Sequence, residues 1–319
     1  MAFKFLNWFK KKPLEEQKTL KTGIVFSGGG TRGFAYVGVI KAFRECGIDF
    51  DMVAGTSVGA IIGCFYAAGV PTDLMLERAS KMKQTDIFSS KFKLIPSKTE
   101  KLEEFVAEIL DGKEFNDLHK PFCAVATDIK TGNEVHISSG EKGDLVKAVA
   151  GSCAIPAVFN VVPYKDMNLL DGGLINNMPA DALREMGADI VISLDINPTR
   201  GFGTDSIKTM DLLKASLRVL MKSNVVNGYV HSDYIIKLDL SRFSQLKIEN
   251  IEELIQLGYQ LTMEQMPEIK RVLSRTKPDE SIKRMGRKIR AINKKNKQIE
   301  KISSSLTNEE KELLKIYER

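Results

Sequence analysis

The sequence predicts an α/β fold, and three observations carry that prediction. Short β-rich runs alternate with helix candidates along most of the chain. A serine flanked by glycines, Gly55-Thr56-Ser57-Val58-Gly59, stands where an apolar run gives way to a small-residue helix candidate. A glycine-rich turn, Ser27 to Gly33, closes the first β-rich run and opens another helix candidate. The 319 residues suffice for one large core with appendages, and 43% hydrophobic and 28% charged residues are ordinary for a globular chain.

The elements follow in order. Gly23 to Ser27 reads as a strand, and Phe34 to Cys46 as the helix after it. Met52 to Gly55 reads as a second strand leading into a helix from Val58. Phe122 to Thr127 and Glu134 to Ser138 flank the turn Lys130-Thr131-Gly132-Asn133, the pattern of a hairpin or tight strand connection. Pro179 to Met186 is a helix candidate that Gly187 ends. Asp189 to Ile196 is strongly β, and Tyr234 to Leu240 is the last strand candidate. Ile251 to Ile269 reads as an amphipathic helix, and the chain after about residue 275 reads as an arm. No internal repeat or long linker divides the body.

Residues 52 to 70 carry no charged side chain, a length that could span a bilayer. Gly55, Gly59 and Gly63 also repeat at a membrane-helix packing interval. Moderate hydrophobicity, Thr56 and Ser57 near the start, and the lack of a second such stretch argue for a buried helix against a sheet instead. The glycines then permit a tight strand-to-helix turn that pushes the Ser57 hydroxyl outward.

The net charge of +6 conceals a division. Residues 1–21 carry a net +4 and residues 270–301 a net +10, while residues 22–269 carry a net −7. At the N-terminus Phe3, Phe5, Leu6, Trp8 and Phe9 sit beside Lys4, Lys10, Lys11 and Lys12, a composition suited to the headgroup boundary of an anionic bilayer. A solvated or core-docked arm accounts for the same residues. The apolar portion is too short to span, and it lacks the order of a signal peptide. The expected location is cytoplasmic, with peripheral contact at the inner membrane face as the arm's candidate role. Cys46, Cys64, Cys123 and Cys153 show no metal-ligand spacing and read as free thiols of a reducing compartment.

Acyl transfer needs a nucleophile, a base and donors for a developing oxyanion. Ser57 supplies the first. In Gly28-Gly29-Gly30-Thr31-Arg32-Gly33 the glycines allow several N–H groups to face one point, at a helix start and beside a guanidinium. The same loop is also how dinucleotide folds cradle pyrophosphate; the elbow serine about two dozen residues later favours an oxyanion hole. Three histidines compete for the base. His119 lies in a loop, His136 in a strand candidate, and His231 falls late enough to satisfy a Ser, Asp, His order. Asp171 ends an apolar run and precedes Gly172 and Gly173, where backbone comes close to something or simply turns. Asp128 and Asp195 end strand candidates in the same way.

These motifs, in order and approximate spacing, resemble the patatin-like phospholipase family. Leu174-Ile175-Asn176-Asn177-Met178-Pro179-Ala180-Asp181 resembles its bacterial and neuropathy-target-esterase branch, as do Thr127-Asp128 with Thr131-Gly132 and Ser152 with Pro156. The likeness covers roughly residues 22 to 240. It implies a three-layer α/β/α fold with a mostly parallel central sheet and a helical C-terminal extension. The expected division is a basic, aromatic arm (1–21), a catalytic domain (22–245) and a basic helical extension (246–319).

The resemblance further implies hydrolysis of phospholipid or lysophospholipid esters through a Ser-Asp dyad and an acyl-enzyme. Ser57 would be the nucleophile and Asp171 the base. Gly28, Gly29 and Gly30 would form the oxyanion hole supported by Arg32 and Gly33, with Gly55 and Gly59 at the elbow and Gly172 and Gly173 in the dyad loop. No cofactor or metal is expected, and calcium dependence is not expected. A carboxylate base of ordinary pKa, ~3.9, would give no activity inflection near ~6.5. The alternatives are an esterase or thioesterase on soluble substrates, or a silent scaffold binding lipid or an acidic partner. A nucleic-acid partner, resting only on the basic segment 270–301, is not expected.

Overall fold

The computed structural model of the chain describes residues 19–83, 97–139, 143–197 and 224–282, together with 212, 215–216, 219, 284–288 and 291. The N-terminal aromatic and basic residues and most of the basic C-terminal arm therefore lie outside the described residues.

Among the described residues, eight strands form one sheet. They are β1 (Thr22–Phe26), β2 (Met52–Thr56), β3 (Phe122–Asp128), β4 (Asn133–Ser138), β5 (Val162–Tyr164), β6 (Met167–Asp171), β7 (Ile190–Asp195) and β8 (Tyr234–Lys237). Their order is β5-β6-β3-β2-β1-β7-β8, with β4 also paired to β3. The stretch from β3 to β8 is parallel. The β4, β6 and β5 pairings are antiparallel.

Period-2 alternation builds a core on each face of this sheet. Ile24, Phe26, Val53, Phe122, Ala124, Ile192 and Leu194 enter the larger core. Their neighbours Val25, Met52, Ala54, Cys123, Val125 and Val191 enter the smaller one, beneath Met178, Ala182 and Leu183. Helices α1 (Ala35–Glu45), α2 (Val58–Ala67), α3 (Thr72–Lys81), α4 (Glu100–Leu110) and α5 (Leu145–Ser152) cover the first face. Helix α6 (Ala180–Glu185) covers the other, packed against α7 (Val226–His231). The result is the three-layer α/β/α arrangement.

The sequence reading omits α3, α4, α5, α7 and β5, and reads β6 only as an apolar run. Short amphipathic helices such as α3, with only Met75 and Ala79 buried, leave a faint periodic signal. Helix α8 (Ile251–Leu273) lies against α1. A Cβ on Gly38 would come within 1.9 Å of the Ile255 carbonyl oxygen, and one on Gly258 within 2.1 Å of the Ala35 carbonyl oxygen. Facing glycines thus let the two backbones approach to contact. Leu254, Met266 and Ile269 of α8 join the larger core. The boundary expected between residues 245 and 246 therefore runs through packed structure, because α8 supplies a side of the core that the earlier elements leave open.

Candidate active site

Ser57 sits between β2 and α2 with φ 55° and ψ −130°, left-handed backbone that a residue with a Cβ rarely adopts. Two close approaches hold it there. A Cβ on Gly55 would come within 2.2 Å of the Gly59 carbonyl oxygen, and one on Gly59 within 2.1 Å of the Phe26 carbonyl oxygen. The Ser57 amide donates to the Ser152 hydroxyl at 2.9 Å, and that hydroxyl donates to the Val125 carbonyl at 2.6 Å. Ser152 is the last residue of α5, whose start is capped by the Asp144 carboxylate on the Lys147 amide at 2.9 Å.

Asp171 ends β6, and its side chain is fully buried. Its Oδ1 accepts from the Gly173 amide at 2.8 Å, while Oδ2 is buried without a hydrogen-bond partner. The Ser57 hydroxyl is the polar side chain that faces this carboxyl. Burial raises the pKa of Asp171 from 3.8 to about 7, against the opposing pull of Ser57 and the Gly173 amide. The expectation of an ordinary carboxylate is thereby corrected: with water excluded, the charged form loses its hydration. A Cβ on Gly172 would reach within 2.1 Å of the Val125 carbonyl oxygen, so the turn after Asp171 lies flush against β3.

The glycine loop divides by what its amides already do. Gly28 donates to the Asn177 carbonyl at 3.1 Å, and Thr31 to the Gln245 carbonyl at 3.0 Å. The amides of Gly29 and Gly30 have no such partner among the described residues, and Gly30 shares a cavity wall with Ser57. Gly28 is thus a strut of the loop and not a free donor. Arg32 is nearly buried and is turned to the chain beyond β8. Its Nε and Nη2 donate to the Phe243 carbonyl at 3.0 and 2.7 Å. It braces the loop instead of presenting its charge to the serine. Gly33 packs on Val58 and lines the same cavity.

That cavity has a volume of about 130 Å³ and an almost wholly apolar wall. Ser57 and Cys153 stand at its side, with Val58, Ile61, Phe65 and Phe105 among the residues that enclose it. Burial, and then the neighbouring Asp171 charge, hold the Cys153 thiol well above its ordinary pKa, so it stays a neutral wall residue.

None of the three histidines reaches Ser57. The His119 ring packs beside Gly69. His136 is bonded to Glu134 at 2.6 Å and Glu185 at 3.2 Å. His231 lines a separate cavity with Arg184, Asp189 and Gly286, and its Nδ1 donates to the Asn227 carbonyl at 2.8 Å. Asp128 is occupied by the Lys130 amide, the Thr131 hydroxyl and the Asn168 amide, and Asp195 by Tyr229 and the Asn197 amide.

Asn176 and Asn177, quoted above only for a resemblance, tie the motifs together. The Asn176 carbonyl accepts from the Thr56 hydroxyl at 2.9 Å, and its amide donates to the Gly172 carbonyl at 2.8 Å. The Asn177 side-chain amide donates to the Gly28 carbonyl at 3.2 Å, which Asn197 also meets at 2.7 Å. The adjacent asparagines were the available signal for this role.

The family model described as patatin-like phospholipase matches residues 24–184, a span holding the glycine loop, the elbow and Asp171. The chain belongs to the patatin-like phospholipase family. A patatin-like phospholipase domain-containing protein of Caenorhabditis elegans is 30% identical over 288 residues, covering 77% of this chain and 26% of its own length. An uncharacterised NTE family protein of Mycobacterium bovis is 32% identical over 184 residues, 56% of this chain and 49% of its own. The lysophospholipase nte1 of Emericella nidulans is 27% identical over 292 residues, 81% of this chain and 19% of its own. This patatin-like chain spans less than half the length of each of these relatives. Among its described residues no helix is long and apolar enough to cross a membrane.

Proposed function

We propose that this chain is a serine hydrolase that cleaves carboxylic esters of phospholipids or lysophospholipids. The observation that carries the reading is the fully buried Asp171 carboxyl beside the Ser57 hydroxyl and an apolar cavity. Ser57 Oγ attacks the ester carbonyl carbon while its proton passes to Asp171. The carbonyl oxygen becomes an oxyanion, and the free amides of Gly29 and Gly30 are the donors assigned to it. The intermediate collapses, the C–O bond to the leaving alcohol breaks, and that oxygen takes the proton back from Asp171. Water, deprotonated by the same carboxylate, then releases the fatty acid and restores Ser57. The acyl chain occupies the mainly apolar cavity, and Arg78, which also lines it, is placed to meet an anionic head group.

The lysophospholipase name of the Emericella relative and the family match support a lipid substrate over a soluble ester. The arm 1–21 is assigned to peripheral contact with anionic bilayer, which its removal should weaken. The decisive experiment incubates the protein with a mixed lipid extract and an active-site-directed fluorophosphonate in parallel. Release of fatty acid together with labelling at Ser57 is expected. A folded protein that neither reacts at Ser57 nor releases fatty acid would instead be a lipid-binding scaffold.

A further inference from the structure

Behind the elbow lies a second polar cluster that the reaction above does not use. Glu134 and His136 are two apart on β4 and so share one face of the strand. Asp181 and Glu185 are four apart on α6 and so share one face of the helix. The fold lays these faces together. One ligand atom each from Glu134, His136 and Asp181 falls within 4.8 Å of the others.

Three features suit a bound cation. Three carboxylates meet the His136 imidazole, with His231 also close enough to act on Asp181, and no lysine or arginine among the described residues pairs with Glu134 or Asp181. His136 turns Nδ1 to Glu185 at 3.2 Å and Nε2 toward Glu134 at 2.6 Å. A metal-binding histidine is commonly held in this way, its second nitrogen oriented by an outer carboxylate. Independently, the side chain of Asn176 is 1% exposed, and its Oδ1 has no hydrogen-bond partner. The same amide reaches into the cluster, where Nδ2 donates to Glu134 at 2.8 Å and Asp181 at 2.9 Å. A half-turn of the amide, which leaves its shape unchanged, puts Oδ1 against those carboxylates. Without a cation the observed orientation, Nδ2 on both carboxylates, is the better one; a cation between the oxygens favours the turned amide.

We propose that Glu134 Oε1, His136 Nε2, Asp181 Oδ1 and Asn176 Oδ1 bind one divalent transition cation of the Mn²⁺ or Zn²⁺ class. One imidazole with carboxylate and amide oxygens suits these ions better than Mg²⁺ or Ca²⁺, which favour all-oxygen sets. Glu185 orients His136, and the Asn227 side-chain amide holds the other Asp181 oxygen at 2.6 Å. The ion displaces the proton shared by His136 and Glu134, so binding releases a proton. Its role is structural, because Asn176 also carries the carbonyl that Thr56 holds, one residue before the elbow serine.

The test titrates chelator-treated full-length protein with Mn²⁺ and with Zn²⁺ by calorimetry in two buffers of different ionisation enthalpy. One equivalent should bind with proton release, and the ion should raise the melting temperature. Glu134→Gln and Asp181→Asn should each weaken binding at least tenfold, while His119→Ala should not change it. Asn176→Asp should enlarge the metal-dependent rise in melting temperature, a readout that survives if the other variants fold poorly. Ser57→Ala should bind the ion unchanged, which separates this site from the hydrolase reading. No binding of either ion at millimolar concentration, or equal binding by the Glu134→Gln/Asp181→Asn double variant, would overturn the proposal.

Discussion

Asn177 and Gly28, 149 positions apart, exchange two hydrogen bonds: the Gly28 amide donates to the Asn177 carbonyl at 3.1 Å, and the Asn177 side-chain amide returns one to the Gly28 carbonyl at 3.2 Å. This pair fixes the first glycine of the loop, while the Gly29 and Gly30 amides have no backbone partner among the described residues and Gly30 shares a cavity wall with Ser57. Asn177→Ala should therefore reduce kcat about tenfold with little change in KM, and lower stability by about 1 kcal/mol, the ordinary net worth of such a bond. Steady-state kinetics on a soluble ester would expose a purely structural role as a fall in stability alone.

Asp171 sets the pH behaviour. As a base it works deprotonated, so activity should fall as pH drops through about 7. The fall lies where a histidine would titrate, so the profile cannot by itself separate dyad from triad. His231→Ala can: it should keep the wild-type rate and profile, since His231 lines another cavity. A collapse of activity in that variant would reinstate the triad.

The same carboxyl should cost stability. Its folded pKa is raised, so the native state holds the proton more tightly than the unfolded chain and is destabilised as pH rises from about 4 to about 7. Asp171→Asn should be more stable than the wild type at pH 8, by an amount on the order of 2–4 kcal/mol that shrinks toward pH 4. Its turnover should fall by about 10²- to 10⁴-fold. Chemical denaturation at the two pH values measures the first effect.

Ser57 stores backbone strain. Ser57→Gly should abolish fluorophosphonate labelling yet stabilise the fold by about 1 kcal/mol, since glycine adopts the positive φ freely. A lower melting temperature would show that the side chain contributes more than its conformation costs.

Ile61 lines the cavity close in sequence to the elbow. Ile61→Trp should spare p-nitrophenyl butyrate while cutting turnover of the palmitate ester at least tenfold. Equal losses on both esters would remove the cavity as the acyl site.

Six of the eight sheet strands and the three glycine motifs were legible because each is local. Ile24 and Val25 alternate faces by periodicity alone, and Gly55 and Gly59 mark the turn they make. The rest depends on residues distant in sequence. Ser152 reads as one more small residue in the run Ala150-Gly151-Ser152-Cys153, and only the fold brings its hydroxyl to the Ser57 amide. Asn197 and Gln245 sit in stretches with no pattern, yet they bond to each other at 3.1 Å and to the glycine loop. The pKa of Asp171 is a property of what surrounds it, which no spacing encodes. Arg32 was visible as a charge near the loop, but its direction is set by Phe243.

The hold of Arg32 and Thr31 on residues 243–245 has a practical corollary for anyone trimming this polypeptide. A fragment ending at the last strand would strip the Arg32 guanidinium of its Phe243 and Ser241 carbonyls and α1 of its companion helix. A fragment that keeps these contacts runs through Leu273, and a nick ahead of α8 would free the helix that packs on α1.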